Sequence, residues 1–240
     1  MPVFERAGLS LYYEEFGSGY PLLLFAPGGM RSSIDFWHRG PFDPTKEFAG
    51  DFRVIAMDQR NAGRSRGPVS ASDGWHTYAA DHVALLDHLG IQRCHTMGGC
   101  IGSTYCLSLI KQAPDRVSAA VLQNPIGLTD SNREAFREMF DGWAKELAHD
   151  RKDLSESAFP TFRENMYGGD FVFAVSRDFV RTCKTPLIVL KGDDLYHPTP
   201  ISEEIVRLNP SISMVESWKT PEAAPEAVKR VRAFLKQHQG

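Results

Sequence analysis

The chain holds few cysteines: four in 240 residues, Cys94, Cys100, Cys106 and Cys183. No two form C-x-x-C and no His/Cys cluster has zinc spacing, which argues against a dithiol redox motif and a structural zinc. No apolar run approaches the ~20 residues that cross a bilayer. The opening MPVFERAGLS places Glu5 early and has no apolar core of a secretion signal, so a cytoplasmic setting with reduced thiols is expected. Neither charge dominates: 27 Lys and Arg stand against 30 Asp and Glu, a net of −3. The electrostatic footprint of a nucleic-acid or anionic-membrane binder is therefore missing. There is no internal repeat and no Gly/Ser-rich linker.

What is present is ordinary globular composition, 42% hydrophobic and 24% charged, which excludes a disordered or fibrous chain. A chain of this length buries roughly 70% of its unfolded surface, enough to fold without disulfides or metal. It fits one large domain, or one domain with a small insertion.

Alternation in LSLYYEEFG, with Leu9, Leu11 and Tyr13 on one face, predicts a strand. Pro21 to Ala26 is continuously apolar, as in a strand buried on both faces of a parallel sheet. Further strands are expected over 53–57, 93–97, 118–123, 186–191 and 212–215. Helices are expected over 77–89, with Ala80, Val83, Ala84 and Leu86 as apolar positions, over 101–113, 202–208 and 225–238. This rhythm predicts an α/β fold with a mostly parallel central sheet flanked by helices. One stretch breaks it. Residues 127–185 read as helical and aromatic, far longer than an ordinary connection. They are expected to form a small helical cap insertion, with 1–126 and 186–240 as the core, lying where open α/β sheets place ligands.

The strongest chemical signal is MGGCIGS, a G-x-C-x-G run from Gly98 to Gly102 between a predicted strand and a predicted helix. That is the setting of a nucleophile elbow, with cysteine where serine is usual. Small residues two before and two after Cys100 permit a sharp turn, and the helix N-terminus favours a thiolate. The bland alternative is a small cysteine at a tight turn.

With this motif the chain resembles the α/β-hydrolase superfamily over nearly its full length. APGGM is similar to the family's oxyanion loop, with Pro27 and Gly28 in the His-Gly places. DQRNAGRS, Asp58 to Ser65, is similar to the family's D-x-R-G-x-G-x-S turn and reads as structural, Arg60 and Asn61 included. The resemblance implies an oxyanion hole from the backbone N–H groups of Gly29 and Ile101. It also implies an acid after a late strand, selecting Asp194 by its spacing to Pro198, with Asp193 as the alternative. The family's histidine, after the last strand, has no counterpart in MVESWKTPEAAPEAV; Trp218 stands close to that place.

His197, three residues past Asp194, is the first substitute for the base and His38 the next. His95 reads as strand packing, His76, His82 and His88 as surface or helix-face residues, and His149 and His238 as charges on the cap and tail. If none serves, a Cys-Asp pair stands without an intermediary; cysteine needs a base less than serine does. Trp37, Phe140, Trp143, Tyr167 and Trp218 are candidate substrate-binding residues. Phe136, Phe171 and Phe173 join them among the cap aromatics, with core packing the rival role.

The expected activity is hydrolysis of a small ester, lactone or thioester carbonyl by a cysteine nucleophile, with no cofactor and no metal. A lyase or decarboxylase on the same fold, or an inactive ligand-binding descendant, are the alternatives. The expected partner is a small-molecule substrate, with no nucleic acid and no membrane; a homodimer stays open.

Overall fold

The computed structural model describes residues 2–239. Strands and helices run in the order β1 (Val3–Arg6), β2 (Leu9–Phe16), β3 (Tyr20–Phe25), α1 (Pro44–Glu47), β4 (Phe52–Met57), α2 (Trp75–His88), β5 (Cys94–Gly99), α3 (Ile101–Gln112), β6 (Val117–Gln123), α4 (Arg133–Asp150), α5 (Phe159–Tyr167), α6 (Arg177–Thr182), β7 (Leu187–Leu190), α7 (Thr199–Leu208), β8 (Ser213–Val215) and α8 (Ala224–Gln237). Eight strands form one sheet, ordered β1-β2-β4-β3-β5-β6-β7-β8. The β1–β2 and β2–β4 pairs are antiparallel and the remaining pairs parallel. The sheet is thus mostly parallel and flanked by helices, as the alternation predicts. The short edge strand β1 escaped that reading, because only Phe4 of its four residues is buried.

The apolar runs are buried on both sheet faces. Leu23 and Phe25 belong to one core, Leu22 and Leu24 to the other, which is why β3 does not alternate. Helix α2 starts at Trp75, two residues before the expected Thr77, whose hydroxyl accepts the Gly74 N–H within the first turn (3.2 Å). Its apolar face is also rotated. Ala80 is exposed, while His82, read as a surface or helix-face residue, is fully buried. The His82 ring stacks on Phe25, centroids 4.1 Å apart, and bonds Gln59 (2.8 Å). Helix α7 begins at Thr199, three residues before the expected Ser202, with Pro200 in its first turn.

Between β6 and β7 the chain leaves the sheet for α4, α5 and α6. Phe136, Phe140, Trp143 and Phe162 of this segment join the same core cluster as Phe25 and Tyr105. Polar contacts tie it down as well. Trp143 Nε1 donates to the Asn61 carbonyl (3.3 Å), Trp75 Nε1 to that of Met166 (2.8 Å), and Arg31 Nε to Glu146 (2.7 Å). Asp58, fully buried, accepts from the N–H groups of Ile34 and Arg64 (both 2.8 Å) and from Arg64 Nε (2.9 Å). Arg60 makes a buried two-point pair with Asp81 (2.8 and 2.7 Å). The 58–65 segment is therefore a braced turn. Among the described residues no helix is long and apolar enough to cross a membrane.

Candidate active site

Strand β5 ends at Gly99 and helix α3 begins at Ile101, leaving Cys100 alone at the bend with φ 58° and ψ −121°. A non-glycine residue rarely holds a positive φ. Neighbouring contacts keep it there: Cys100 N–H donates to the Gln123 carbonyl (3.0 Å), and the Ser103 hydroxyl reaches the carbonyls of Gly98 and Gln123 (2.9 Å each). The flanking glycines are sterically required. A Cβ on Gly98 would fall on the Gly102 carbonyl, and one on Gly102 on the Phe25 carbonyl.

The acid and the imidazole come from one turn after β7. Asp194 Oδ1 accepts the N–H groups of Tyr196 (3.0 Å) and His197 (3.1 Å), and its carboxylate meets His197 Nδ1 at 2.7 and 2.8 Å. Gly192 makes the turn feasible, since a Cβ there would strike the His197 carbonyl. His197 Nε2 is buried with no aligned protein partner. The ring and Cys100 line the same cavity.

Electrostatics separates this thiol from the others. Burial pushes Cys94 and Cys106 up to about 12 and also raises Cys183. Burial pushes Cys100 up too, but the His197 imidazolium and the N–H groups of Ile101 and Gly28 outweigh it and bring the thiol below its usual range. Burial pulls His197 down, yet the Cys100 sulfur and the Asp194 carboxylate more than reverse this and hold the ring at about 9. Burial likewise works against ionising Asp194, and its bonds to His197 and to the Tyr196 N–H leave it below the usual carboxylate range. Together these shifts favour a thiolate beside an imidazolium.

Cys100, Ile101, Gly28 and Gly29 form the floor of a cavity of about 230 Å³; Ile126, Phe136, Met139, Tyr167, Tyr196 and His197 complete it. Both residues of the expected oxyanion pair, Gly29 and Ile101, line the cavity, but the backbone amides that act on the sulfur are those of Ile101 and Gly28. Of the expected substrate-binding residues, Tyr167 and the cap aromatic Phe136 lie on this wall. Trp37 and Trp218 sit in the core on the other face of the sheet, Trp218 Nε1 donating to the Lys191 carbonyl (2.8 Å). Phe140 and Trp143 face inward from α4 onto Phe162, 5.2 and 5.9 Å between centroids. Those four are corrected to packing residues. Met139, Ile126 and Tyr196 escaped sequence reading. Met139 follows Phe136 by one helical turn and Tyr196 adjoins His197, so periodicity and adjacency carried a signal for two of them.

The remaining histidines stand apart. His95 is buried and bonds Ser118 (2.8 Å), and His38 pairs with Asp43 on the surface (2.8 Å). His76, His88 and His149 are exposed. Asp193, the alternative acid, turns outward to an ion pair with Lys219, whose Nζ also lies 3.9 Å from Asp194 Oδ2. The loop after β8, where the family keeps its histidine, thus supplies a cation next to the acid.

A chloroperoxidase-like protein of Synechocystis, described as a putative non-heme chloroperoxidase, is 30% identical to this chain over 164 residues. That alignment covers 66% of the chain and 57% of the relative, so it spans little more than half the relative's length. A bifunctional esterase/perhydrolase of Acinetobacter calcoaceticus is 27% identical over 227 residues, covering 80% of this chain and 81% of that protein. The crystal structure of the enol-lactonase from Burkholderia xenovorans LB400 superposes with a TM-score of 0.71 at 19% identity, over 98% of this chain and all of that one (100%); at that identity the likeness concerns the fold. The family model for the alpha/beta hydrolase fold matches residues 21–184, a span that contains the bend at Cys100 and most of the parallel sheet. The chain belongs to the α/β-hydrolase fold family.

Proposed function

We propose that the protein is a cysteine-dependent hydrolase of small esters, lactones or thioesters. The observation that carries this reading is the Cys100 thiol at a strained strand-to-helix bend, lining one cavity with the His197 ring that the Asp194 carboxylate holds. The thiolate attacks the substrate carbonyl carbon, and the carbonyl electron pair moves onto oxygen. The N–H groups of Ile101 and the Gly28–Gly29 turn stabilise that oxyanion. Collapse expels the leaving alcohol or thiol, which takes its proton from His197. Water then attacks the acyl-cysteine while the neutral ring accepts its proton, and Cys100 departs as thiolate. Asp194 orients the ring through Nδ1 and stabilises its charged form. The residues 127–185 act as a cap over the site, and the partner is a small-molecule substrate.

Cys100→Ala is expected to lower turnover of p-nitrophenyl acetate and of a simple acyl thioester by at least ~10³-fold, the scale of losing a covalent nucleophile. Iodoacetamide at neutral pH is expected to label Cys100 well before the other three thiols. Undiminished turnover of these substrates in the alanine variant would sink the proposal.

A further inference from the structure

Besides His197, the cavity lining contains one residue, Tyr167, whose polar group packing does not explain. Tyr167, at the end of α5, is 1% exposed, and its hydroxyl is buried with no hydrogen-bond partner. Its ring is fully accounted for by neighbours: Phe136 stacks on it at 5.4 Å, Phe173 meets it edge-on at 5.3 Å and Trp75 at 6.1 Å. Phenylalanine would make the same ring contacts without leaving a buried hydroxyl unsatisfied, which costs roughly one to two orders of magnitude in an equilibrium. Buried orphan donors of this kind call for a reason. Burial keeps the phenol neutral far beyond physiological pH, so it stays a donor.

The rest of the wall narrows what it donates to. No Lys or Arg lines the cavity, so an anionic acyl group would meet no dedicated cation there. The volume of about 230 Å³ lies below the roughly 300–1,000 Å³ of sites for drug-sized ligands. We infer that Tyr167 donates a hydrogen bond to an oxygen carried on the acyl group, so that the site selects esters or thioesters of compact, uncharged acids bearing an ether, hydroxyl or keto oxygen. The inference deepens the proposed function and rests on it for the identity of the reacting carbonyl.

The test needs no turnover. Two isosteric pairs of N-methyl amides, methoxyacetyl with butyryl and 3-methoxypropionyl with valeryl, are titrated by ligand-detected NMR against the wild type and Tyr167→Phe. In at least one pair the ratio of dissociation constants is expected to move about fivefold toward the hydrocarbon ligand in the variant, the size of one hydrogen bond. Equal ratios in the two proteins for both pairs overturn the inference, as does failure of all four amides to bind the wild type. Ester turnover by wild type and Cys100→Ala is measured separately. Its absence, with the Tyr167-dependent ratio intact, would end the hydrolase reading and leave the recognition role standing.

Discussion

At the scale of single residues the site is a question of which charges face which. Cys100 and His197 each stabilise the other's ionised form, so removing one should show in the titration of the other. His197→Asn is expected to move the midpoint of Cys100 alkylation against pH upward, because burial is then opposed only by the N–H groups of Ile101 and Gly28. Asp194→Asn should lower the pH above which the wild-type ion pair breaks up, which His197 sets at about 9. Alkylation rates from pH 5 to 10 check both. An unchanged midpoint in the His197 variant would remove the imidazole from the mechanism. The bend at Cys100 was legible in the sequence because its pattern is local: a strand, two small residues, a cysteine and a helix. His197 was legible only as a loop neighbour of Asp194, since a three-residue spacing does not say whether the turn folds back; Gly192 decides that it does. Trp37 and Trp218 were misjudged because an aromatic near a site in sequence can point through the sheet to its far side.

Elements position these residues by close approach. Helix α3 passes so near β3 that no side chain fits on Gly102. Gly102→Ala is expected to destabilise the protein by about 3 kcal/mol, the upper part of the usual overpacking range, read by urea denaturation. The same variant should show slower Cys100 alkylation than Gly142→Ala, a control in α4 where a Cβ meets only the tip of Arg31. The alternation of strands and helices was readable because buried parallel strands leave continuous apolar runs. The edge strand β1 and the true buried face of α2 were not, because one buried residue in four, or a histidine on an apolar face, gives periodicity nothing to register.

Across the whole molecule two sets of histidines pull stability in opposite directions with pH. His82 and His95 are buried and held neutral, down to about 3 and about 4. The unfolded chain therefore binds their protons first on acidification. Stability should fall as pH drops below the ordinary histidine value, by up to about 1.4 kcal/mol per pH unit for each ring. His197 is raised to about 9, so its contribution is complete below the ordinary histidine value and is lost as pH rises toward 9. For these groups the optimum lies near pH 6.5; urea midpoints from pH 4 to 9 test it, and His82→Gln should flatten the acid limb alone. The placement of acid and imidazole within one four-residue turn has a mechanical side. Two groups on separate loops can drift independently, whereas Asp194 and His197 share one turn and a hydrogen-bonded contact. Displacement of that turn moves both groups together, changing the distance from ring to sulfur while the carboxylate stays on Nδ1.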